Sequence, residues 1–301
     1  MKKKIAIFGK GYVGTYLHDD KQNIYETQCY SKGEHRYHET DKFIKILENT
    51  KPDYVINACG YTGRPNVDAC EDDKQKCWDL NVNLPVTMST ICDTLNIPFI
   101  HISSGCIYSG YDKNFTEEDQ PNFGLSDKRS SWYSKTKHAA EIQMAGTNAY
   151  IFRIRMPFCS STHERNFLSK ILKYDNLIEF PNSMTSIHDF VEFVWKFINR
   201  IELENTIDIQ PEHKEVRPGI YNVCNPTAIT IRDVVATFEG NGIVNEKWSF
   251  VDINDLPLKA NRSNCVLDCS KIERIGLSLP LSTYSLSRCV ADMCAKLSLG
   301  K

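Results

Sequence analysis

Short apolar runs alternate with amphipathic stretches along the first half of the chain. The apolar runs predict strands at Ile5–Phe8, Ile24–Cys29, Tyr54–Asn57, Pro98–Ser103 and Tyr150–Ile154. Helical periodicity marks the stretches between them, which are Gly11–Leu17, Phe43–Leu47, Asp72–Leu95 (one long or broken helix) and Tyr133–Met144. Because each strand is followed by a helix, the pattern predicts a parallel sheet covered by helices on both faces.

The pattern becomes less regular after Met156-Pro157. Helices are predicted at Arg165–Tyr174, Ile187–Ile201, Ile229–Glu239 and Leu281–Leu297, and a strand at Ile220–Val223. We therefore expect an α/β fold with two parts, a Rossmann-type doubly wound parallel sheet in residues 1–157 and a smaller substrate-binding α/β lobe in residues 158–301. Some chain is expected to cross back to the first part. Two polar stretches are predicted as a candidate active-site flap, Tyr108–Ser131, and a surface excursion, Ile201–Pro218.

Composition narrows the class of protein. A chain of 301 residues can bury a large core, and a net charge of −2 offers no electrostatic basis for binding nucleic acid or an anionic membrane. No apolar segment approaches the roughly 20 residues of a membrane span, and no signal-peptide core follows Met1. The 12 cysteines are scattered without a Cys-x-x-Cys pair. This pattern favours reduced thiols in a cytoplasmic protein over disulfides or a zinc site.

The first strand runs into a glycine-rich turn, Gly9-x-Gly11-x-x-Gly14, that opens the first helix. Glycines in that context let the backbone approach a pyrophosphate at the helix N-terminus, although the same pattern can also form a turn that binds nothing. Lys32 and Arg36 follow the second strand, where an acidic residue would bind the ribose 2′-hydroxyl of NAD. Their charge favours the 2′-phosphate of NADP(H), and surface cations are the alternative.

Residues that can move protons follow the fourth strand and open the next helix. Ser104 and Cys106 are two residues apart at the strand end, and Tyr133 and Lys137 share one helix face. We expect the cation to lower the pKa of Tyr133, which would exchange a proton with a sugar oxygen held by Ser104. Taken singly, such residues are more typical of a surface Tyr–Lys pair and a small buried thiol. Their combination with the glycine-rich turn favours a reductase.

These motifs resemble the extended short-chain dehydrogenases/reductases that act on nucleotide sugars, in the branch of dTDP-4-dehydrorhamnose reductase and GDP-fucose synthase. The glycine-rich turn is one residue shorter than is usual there. Further similarity narrows the resemblance to the bifunctional UDP-4-keto-6-deoxyglucose 3,5-epimerase/4-reductases, including the C-terminal part of plant rhamnose synthase. The segments that carry it are Asn57–Asp68, Gly105–Ile107, Glu117–Phe123, Arg153–Pro157, Arg165–Phe167 and Pro181–Thr185. Asn261–Lys271 resembles a stretch of the dehydrorhamnose reductases more generally.

The resemblance implies two reactions in one pocket. A 4-keto group acidifies the hydrogens on C3 and C5, and inverting a carbon needs one group to remove a proton and another to return one. The resemblance assigns these roles to Cys106 and Lys170, and it assigns NADPH-dependent reduction at C4 to Tyr133 with Ser104 and Lys137. The expected substrate is UDP-4-keto-6-deoxyglucose, supplied by an upstream 4,6-dehydratase, and the product is UDP-L-rhamnose. From periodicity alone, Lys170 would be an ordinary exposed lysine.

The remaining site residues are predicted in two groups. Cofactor contacts are expected from Gly9, Gly11, Tyr12, Val13, Gly14, Lys32, Asn57, Ala58, Tyr61, Tyr133, Lys137, Met156 and Pro157. Substrate contacts are expected from Thr62, Arg64, Asn66, Ser104, Asn166, Asn182 and Arg262. The arginines can bind a diphosphate through two hydrogen bonds each, whereas each asparagine could instead cap a loop.

Two supporting predictions complete the site. Asn81 resembles the helix asparagine that supports the active site in this superfamily, and a solvent-facing polar residue is the alternative. No metal site is expected, because His101, His163 and His188 lack metal-ligand spacing.

Two alternative functions stay open. The first is a single-function reductase in which Cys106 only packs, although Ser104-Gly105-Cys106 stands where plain dehydrorhamnose reductases have Thr-Asp-Tyr. The second is a non-catalytic Rossmann module that regulates a partner; such modules tend to lose the Tyr or the Lys that this chain keeps. The choice between UDP and dTDP substrates and the presence of a homodimer also stay open.

Overall fold

A six-stranded parallel sheet forms the centre of the computed structural model, which describes residues 2–20, 24–207 and 215–299. The strands are, in chain order, β1 (Lys4–Phe8), β2 (Glu26–Tyr30), β3 (Tyr54–Asn57), β4 (Phe99–Ser104), β5 (Gly110–Phe115), β6 (Ala149–Ile154), β7 (Asn176–Ile178), β8 (Asn182–Met184), β9 (Gly219–Asn222), β10 (Asn225–Ile229), β11 (Ser249–Val251) and β12 (Cys265–Leu267). The α-helices are α1 (Tyr12–Asp19), α2 (Lys32–His35), α3 (Thr40–Thr50), α4 (Ala69–Asp72), α5 (Lys74–Trp78), α6 (Leu84–Thr94), α7 (Trp132–Met144), α8 (Phe167–Ile171), α9 (Ile187–Thr206), α10 (Ile231–Gly240), α11 (Ser270–Arg274) and α12 (Ser282–Leu299).

The strand order of the large sheet is β2-β1-β3-β4-β6-β9, and every neighbouring pair is parallel. The predicted doubly wound α/β fold is therefore confirmed. The connection from β1 leads to β2 on one side, whereas β3 lies on the other side of β1. In such sheets, ligands bind at the carboxyl ends of the strands where the winding direction changes. The glycine-rich turn after β1 and the segment after β3 meet at this point.

The central strands are buried on both faces, which explains why they are continuous apolar runs rather than alternating ones. On one face, Ile7, Ile56 and Phe152 pack with residues of α9 such as Phe197. On the other face, Phe8 and its neighbours pack against α3 and α6. Full burial of one such side chain stabilises the fold by roughly 1.5–3 kcal/mol.

A separate apolar cluster lies in the second half of the chain. It is built from α8, α10, α12 and short strands, with Phe158, Leu168, Met184, Val234 and Val290 buried in it. The strands there form two-stranded sheets, β8 with β10 and β7 with β11. Helix α9 and strand β9 belong instead to the large sheet and its covering layer, so the chain crosses back. The boundary between residues 157 and 158 stays a prediction.

Most predicted elements are present, with several corrections. The predicted helix Arg165–Tyr174 is only the five residues of α8, because Asn166 caps its start. The predicted flap Tyr108–Ser131 contains β5, which pairs with β12, and Tyr108 Oη donates to the Asp119 carbonyl at 2.8 Å. Helix α9 runs five residues beyond its predicted end into the predicted surface excursion, whose residues 208–214 lie outside the described part. Within the described ranges, no helix is long and apolar enough to cross a membrane.

Candidate active site

The glycine-rich turn packs closely against the segment after β3. Gly9 has φ 108°, and a Cβ there would lie 2.8 Å from the Ala58 carbonyl carbon. A Cβ at Gly14 would lie 2.0 Å from the Gly9 carbonyl oxygen, so only glycine fits. At Gly11, the N-cap of α1, no described atom lies within 4 Å of a Cβ, and no side chain caps the helix. The first N–H groups of α1 therefore face open space, which fits a diphosphate.

A cavity of about 320 Å³ lies beyond the end of β2, between α3 and the start of α6. Its lining includes Lys32, His38, the acidic residue Asp79, and apolar residues such as Leu84. Arg36 instead donates through Nε to Glu39 Oε1 at 2.6 Å. This cavity and the glycine-rich turn follow the neighbouring strands β2 and β1. His38 was missed from the sequence because nothing in its spacing separates it from an ordinary loop residue.

Ser104, Cys106, Tyr133 and Lys137 come together as predicted. Ser104 ends β4, its Oγ accepts the Cys106 N–H at 3.2 Å, and its hydroxyl acts to lower the pKa of Tyr133. Lys137 Nζ donates to the Ile102 carbonyl at 3.3 Å, and both Lys137 and Tyr133 are buried. Ser131 caps α7 through a hydrogen bond from the Ser134 N–H, which fixes the helix start that carries Tyr133.

Burial has the largest influence on the pKa values of Tyr133 and Lys137. It raises the pKa of Tyr133, Cys106 adds to the rise, and the Ser104 hydrogen bond opposes it. The prediction that Lys137 lowers the pKa of Tyr133 is therefore wrong, because removing a phenolate from water costs more than nearby groups return. Burial also lowers the pKa of Lys137 to about 8. Tyr133 is thus a protonated acid at neutral pH, beside an amine that titrates close to that range.

Asn81 ties the segment after β3 to the helix that carries Tyr133. Its Oδ1 accepts the Tyr61 N–H at 2.7 Å, and its Nδ2 donates to the Tyr61 carbonyl at 2.9 Å and to Thr136 Oγ1 at 3.0 Å. Asn81 is fully buried, so it is not a solvent-facing residue. It lies in a π-helical turn, Asp79–Asn83, a distortion that is frequent at functional sites.

Lys170 lies on α8 in a group of charged residues. Burial lowers its pKa, Arg165 and Arg262 act in the same direction, and Glu164 opposes them. Arg165 Nη1 also contacts the Thr62 hydroxyl and donates to the Gly63 carbonyl at 2.7 Å. Arg165 was missed as a site residue, although it lies inside a segment that resembles the reductases.

The two arginines predicted to bind substrate already have carboxylate partners. Arg64 is exposed and forms an ion pair with Glu164 at 3.0 Å. Arg262 holds both oxygens of Asp68, at 2.7 and 3.0 Å. Arg64 can turn toward an incoming diphosphate at little cost, whereas Arg262 is part of a bidentate pair that also receives hydrogen bonds from backbone.

The asparagines predicted to bind substrate already form hydrogen bonds within the protein. Asn166 is fully buried, accepts the Leu168 N–H at 3.1 Å and donates to two loop carbonyls. Asn66 accepts the Asp68 N–H at 2.9 Å. Asn182 accepts from the Arg155 guanidinium at 2.6 Å. The capping alternative fits Asn166 and Asn66, while Asn182 orients an arginine.

The other predicted cofactor residues line the same edge of the sheet. Asn57 is buried at the end of β3, where Oδ1 accepts the Cys59 N–H at 2.9 Å and Nδ2 meets His101 Nδ1 at 3.1 Å. Met156, with φ 39°, and Pro157 follow β6. Val13 packs on the core, and the Tyr12 ring stacks on His163 at 4.7 Å. The described residues contain no group of three or more His, Cys, Asp or Glu that could hold a metal ion.

Comparison with known proteins finds a family profile and several relatives that match most of the chain. The profile of the RmlD substrate binding domain matches residues 3–295. A bifunctional dTDP-4-dehydrorhamnose 3,5-epimerase/dTDP-4-dehydrorhamnose reductase of Arabidopsis thaliana is 31% identical over 282 residues, covering 89% of this chain and 85% of that protein. A trifunctional UDP-glucose 4,6-dehydratase/UDP-4-keto-6-deoxy-D-glucose 3,5-epimerase/UDP-4-keto-L-rhamnose-reductase of the same plant is 30% identical over 285 residues, or 90% of this chain. The chain spans 39% of the length of that trifunctional relative.

Solved structures share the fold. A UDP-rhamnose synthase of Acanthamoeba polyphaga mimivirus superposes with a TM-score of 0.82 at 24% identity, covering 97% of this chain and 100% of that one. A dTDP-4-dehydrorhamnose reductase of Bacillus anthracis in complex with NADP superposes with a TM-score of 0.79 at 17% identity, covering 96% and 98%. At these identities the likeness establishes the architecture alone.

Proposed function

The chain belongs to the RmlD substrate binding domain family, and from this we propose that it is an NADPH-dependent reductase of a nucleotide-linked 4-dehydrorhamnose. The observation that carries the proposal is the meeting of Ser104, Tyr133 and Lys137 at the carboxyl edge of the sheet, beside the glycine-rich turn. The names of the Arabidopsis thaliana relatives support the same reaction class.

The reduction assigns one task to each residue. Bound NADPH would supply the hydride for the C4 carbon. Tyr133 gives its proton to O4, and its raised pKa keeps that proton in place until the oxygen becomes basic. Ser104 holds O4 by a hydrogen bond. Lys137, buried four residues further along α7, binds the nicotinamide ribose and supplies positive charge next to the developing oxyanion.

The rest of the cofactor site follows from the geometry of the first strands. The N–H groups at the start of α1 would receive the diphosphate, since Gly11 leaves their approach open. Lys32 and His38, which line the cavity beyond β2, would receive the 2′-phosphate of NADP(H). Met156 and Pro157 would border the nicotinamide.

We further propose that the same pocket inverts C3 and C5 before reduction, converting UDP-4-keto-6-deoxyglucose to UDP-L-rhamnose. Cys106 packs in the cluster that contains Tyr133, so a base there would act on carbons next to the carbonyl that Tyr133 and Ser104 hold. Lys170 lies on α8, a different element, so it can address the sugar from another side. Its lowered pKa brings the amine nearer to neutral pH, as proton exchange requires.

A single-function reductase is the second candidate. The observation that favours it is the packing of Cys106 against the buried cluster of Cys70, Cys77 and Tyr133. In that case Cys106 fills space, and an upstream epimerase supplies the ketose already inverted. The two candidates share the reduction step and differ in the roles of Cys106 and Lys170 and in the ketose that the enzyme receives.

The reductase proposal is tested by NADPH oxidation with UDP- and dTDP-4-keto-6-deoxyglucose and with the corresponding epimerised ketoses. Wild type should oxidise NADPH with at least one of these four sugar nucleotides. Tyr133→Phe should lose roughly 10²–10⁴-fold in rate, because it removes the proton donor. Tyr284→Phe, at an exposed tyrosine, is the matched control and should leave the rate unchanged. Folded wild type that oxidises no NADPH with any of the four substrates would overturn the proposal in favour of a non-catalytic module.

A further inference from the structure

Glu71 of α4 contacts the first residue of α7. Its Oε1 accepts the Trp132 N–H at 2.6 Å, and Trp132 is the residue directly before Tyr133. The first N–H groups of an α-helix have no acceptor within the helix itself. In α7 the Ser131 side chain accepts the Ser134 N–H, whereas the acceptor for the Trp132 N–H comes from a residue 61 positions away in sequence. Glu71 therefore ties the start of α7 to a second element.

The side chain of Trp132 is held by the same part of the chain. Its Nε1 donates to the Lys74 carbonyl at 3.0 Å, and the Lys74 ammonium lies 5.4 Å from the centre of the Trp132 ring. The rings of Trp78 and Trp132 have their centres 6.0 Å apart. Lys74 and Trp78 belong to α5, which follows α4 after one residue. Both the main chain and the side chain of Trp132 thus contact the α4–α5 segment, residues 69–78.

The Tyr133 side chain lies against the α4–α5 segment as well. Tyr133 forms one buried cluster with Cys70 of α4 and Cys77 of α5. Cys70 directly precedes Glu71, so one short helix contributes to the packing of Tyr133 and also fixes the backbone next to it. A side chain held in this way at both its packing surface and its backbone has little freedom to move away from a reacting atom.

We propose that Glu71 is a positioning residue, which holds the start of α7 so that the Tyr133 phenol is in place to give its proton to O4. The catalytic use of this contact rests on the reduction proposed above. Glu71 acts through Trp132 and not on the substrate, so its loss should affect the proton transfer more than substrate binding. Displacing a reacting group by about 1 Å can cost on the order of 10²-fold in rate. Losing the contact should therefore lower kcat and leave KM nearly unchanged.

Steady-state kinetics of NADPH oxidation, with the ketose that wild type reduces, test the role of Glu71. Glu71→Met keeps the bulk of the side chain and removes the acceptor, so kcat should fall roughly 10- to 100-fold with little change in KM. Glu71→Gln keeps an oxygen that can accept the Trp132 N–H and should stay close to wild type. Asp72→Ala, on the same helix, is the matched control and should equal wild type, since the Asp72 carboxylate is exposed and pairs with Lys259.

Backbone hydrogen exchange, resolved by NMR, tests the contact without turnover. The Trp132 N–H should exchange with solvent more slowly in wild type than in Glu71→Met, because a hydrogen bond has to open before exchange. Glu71→Gln should resemble wild type. The same measurement covers the case in which Glu71→Met does not fold: a Trp132 N–H that exchanges in folded wild type as fast as in an unfolded chain would overturn the proposal.

The role of Glu71 and the proposed function fail in different ways. Folded wild type that oxidises no NADPH with any of the four sugar nucleotides overturns the function, and the catalytic use of Glu71 with it. Turnover by wild type together with an unchanged kcat in folded Glu71→Met overturns the role of Glu71 alone. A purely structural contact would lower stability and leave the kcat of the folded protein unchanged, so kcat is compared among variants whose circular dichroism spectra match that of wild type.

Discussion

Two arginines that are two residues apart have opposite surroundings. Arg153 in β6 is 2% exposed and meets Glu141 of α7, with Nη2 at 2.6 Å from Oε2. Tyr108 accepts a further hydrogen bond from Arg153 at 2.9 Å, and Ser103 donates to Glu141 at 2.6 Å. Arg155, equally buried, meets neutral acceptors and thiols instead.

The difference separates a charge that is matched inside the fold from one without a carboxylate partner. At Arg153 the charge is matched inside the fold, and burial, which opposes the charged form, is outweighed by Glu141, so the pKa of Arg153 is raised. At Arg155 the hydrogen-bond acceptors are the Gly105 carbonyl, Ser263 Oγ and Asn182 Oδ1, and none of them carries a charge.

Removing the carboxylate of the first pair should have the largest effect on stability. Glu141→Gln leaves Arg153 buried and unpaired, which should lower the free energy of unfolding by about 3–5 kcal/mol. Urea unfolding followed by circular dichroism measures it. Glu192→Gln, in an exposed pair with Lys196, is the control and should change stability by less than about 0.5 kcal/mol. Equal midpoints for the two variants would mean that Glu141 does not match the charge of Arg153.

Lys137 is a third buried cation. It differs from Arg153 and Arg155 because an amine can lose its proton and a guanidinium cannot. Burial lowers the pKa of Lys137 to about 8 from the ordinary value of 10.5. Between these two values the unfolded chain holds a proton that the folded chain lacks. The free energy of unfolding should therefore rise with pH across this window, by up to about 3 kcal/mol.

Urea unfolding of wild type and Lys137→Met from pH 7.5 to 10.5 tests this. The stability of wild type relative to Lys137→Met should increase through the window. Lys196→Met, at an exposed lysine, should run parallel to wild type. A wild-type advantage over Lys137→Met that is the same at every pH would contradict the prediction.

Asn182→Ala should have an intermediate effect on the second arginine. In wild type, Asn182 Oδ1 accepts hydrogen bonds from Arg155 Nη2 at 2.6 Å and from the Cys265 N–H at 3.1 Å. The substitution removes this acceptor and leaves both donors without it. The expected loss in the free energy of unfolding is about 1–3 kcal/mol. The exposed Asn254→Ala is the control. Asn182→Ala as stable as this control would show that Asn182 does not hold the guanidinium.

Arg64→Ala should have the smallest effect on stability, below about 0.5 kcal/mol, since Arg64 is 76% exposed and its pair with Glu164 is solvated. If Arg64 meets the substrate diphosphate, KM should rise while kcat stays nearly constant, because the contact is made equally in ground and transition states. Steady-state kinetics separate the two parameters. A fall in kcat without a change in KM would exclude that role.

The centre of the large sheet could be predicted because β1 and β3 are short runs of mostly apolar residues, and the bounds predicted for β3 agree with those observed. The short strands outside the large sheet could not be predicted. Strand β5 has the sequence GYDKNF, with four consecutive exposed residues, and its partner β12 lies about 150 residues away along the chain. Only the tertiary fold brings the two together, so no local pattern predicts either strand.

The same distinction applies to the site. Ser104, Cys106, Tyr133 and Lys137 lie in two local segments whose spacing carries information. The environment of Arg155 depends on Asn182 and Ser263, which are 27 and 108 residues distant in sequence. The raised pKa of Tyr133 was also unpredictable, because a Tyr–Lys spacing contains no information about burial.

We propose that Cys106 turns a reductase pocket into an epimerase, and exchange of the C3 and C5 hydrogens with solvent is the measurement that checks this. Wild type, Cys106→Ala and the control Cys294→Ala are incubated in deuterium oxide with UDP-4-keto-6-deoxyglucose, and the sugar is examined by NMR. Wild type and Cys294→Ala should incorporate deuterium at C3 and C5. Cys106→Ala should not, yet it should still oxidise NADPH with the epimerised ketose. Exchange by Cys106→Ala at the wild-type rate would contradict the role of Cys106, and no exchange by wild type would leave the protein a single-function reductase.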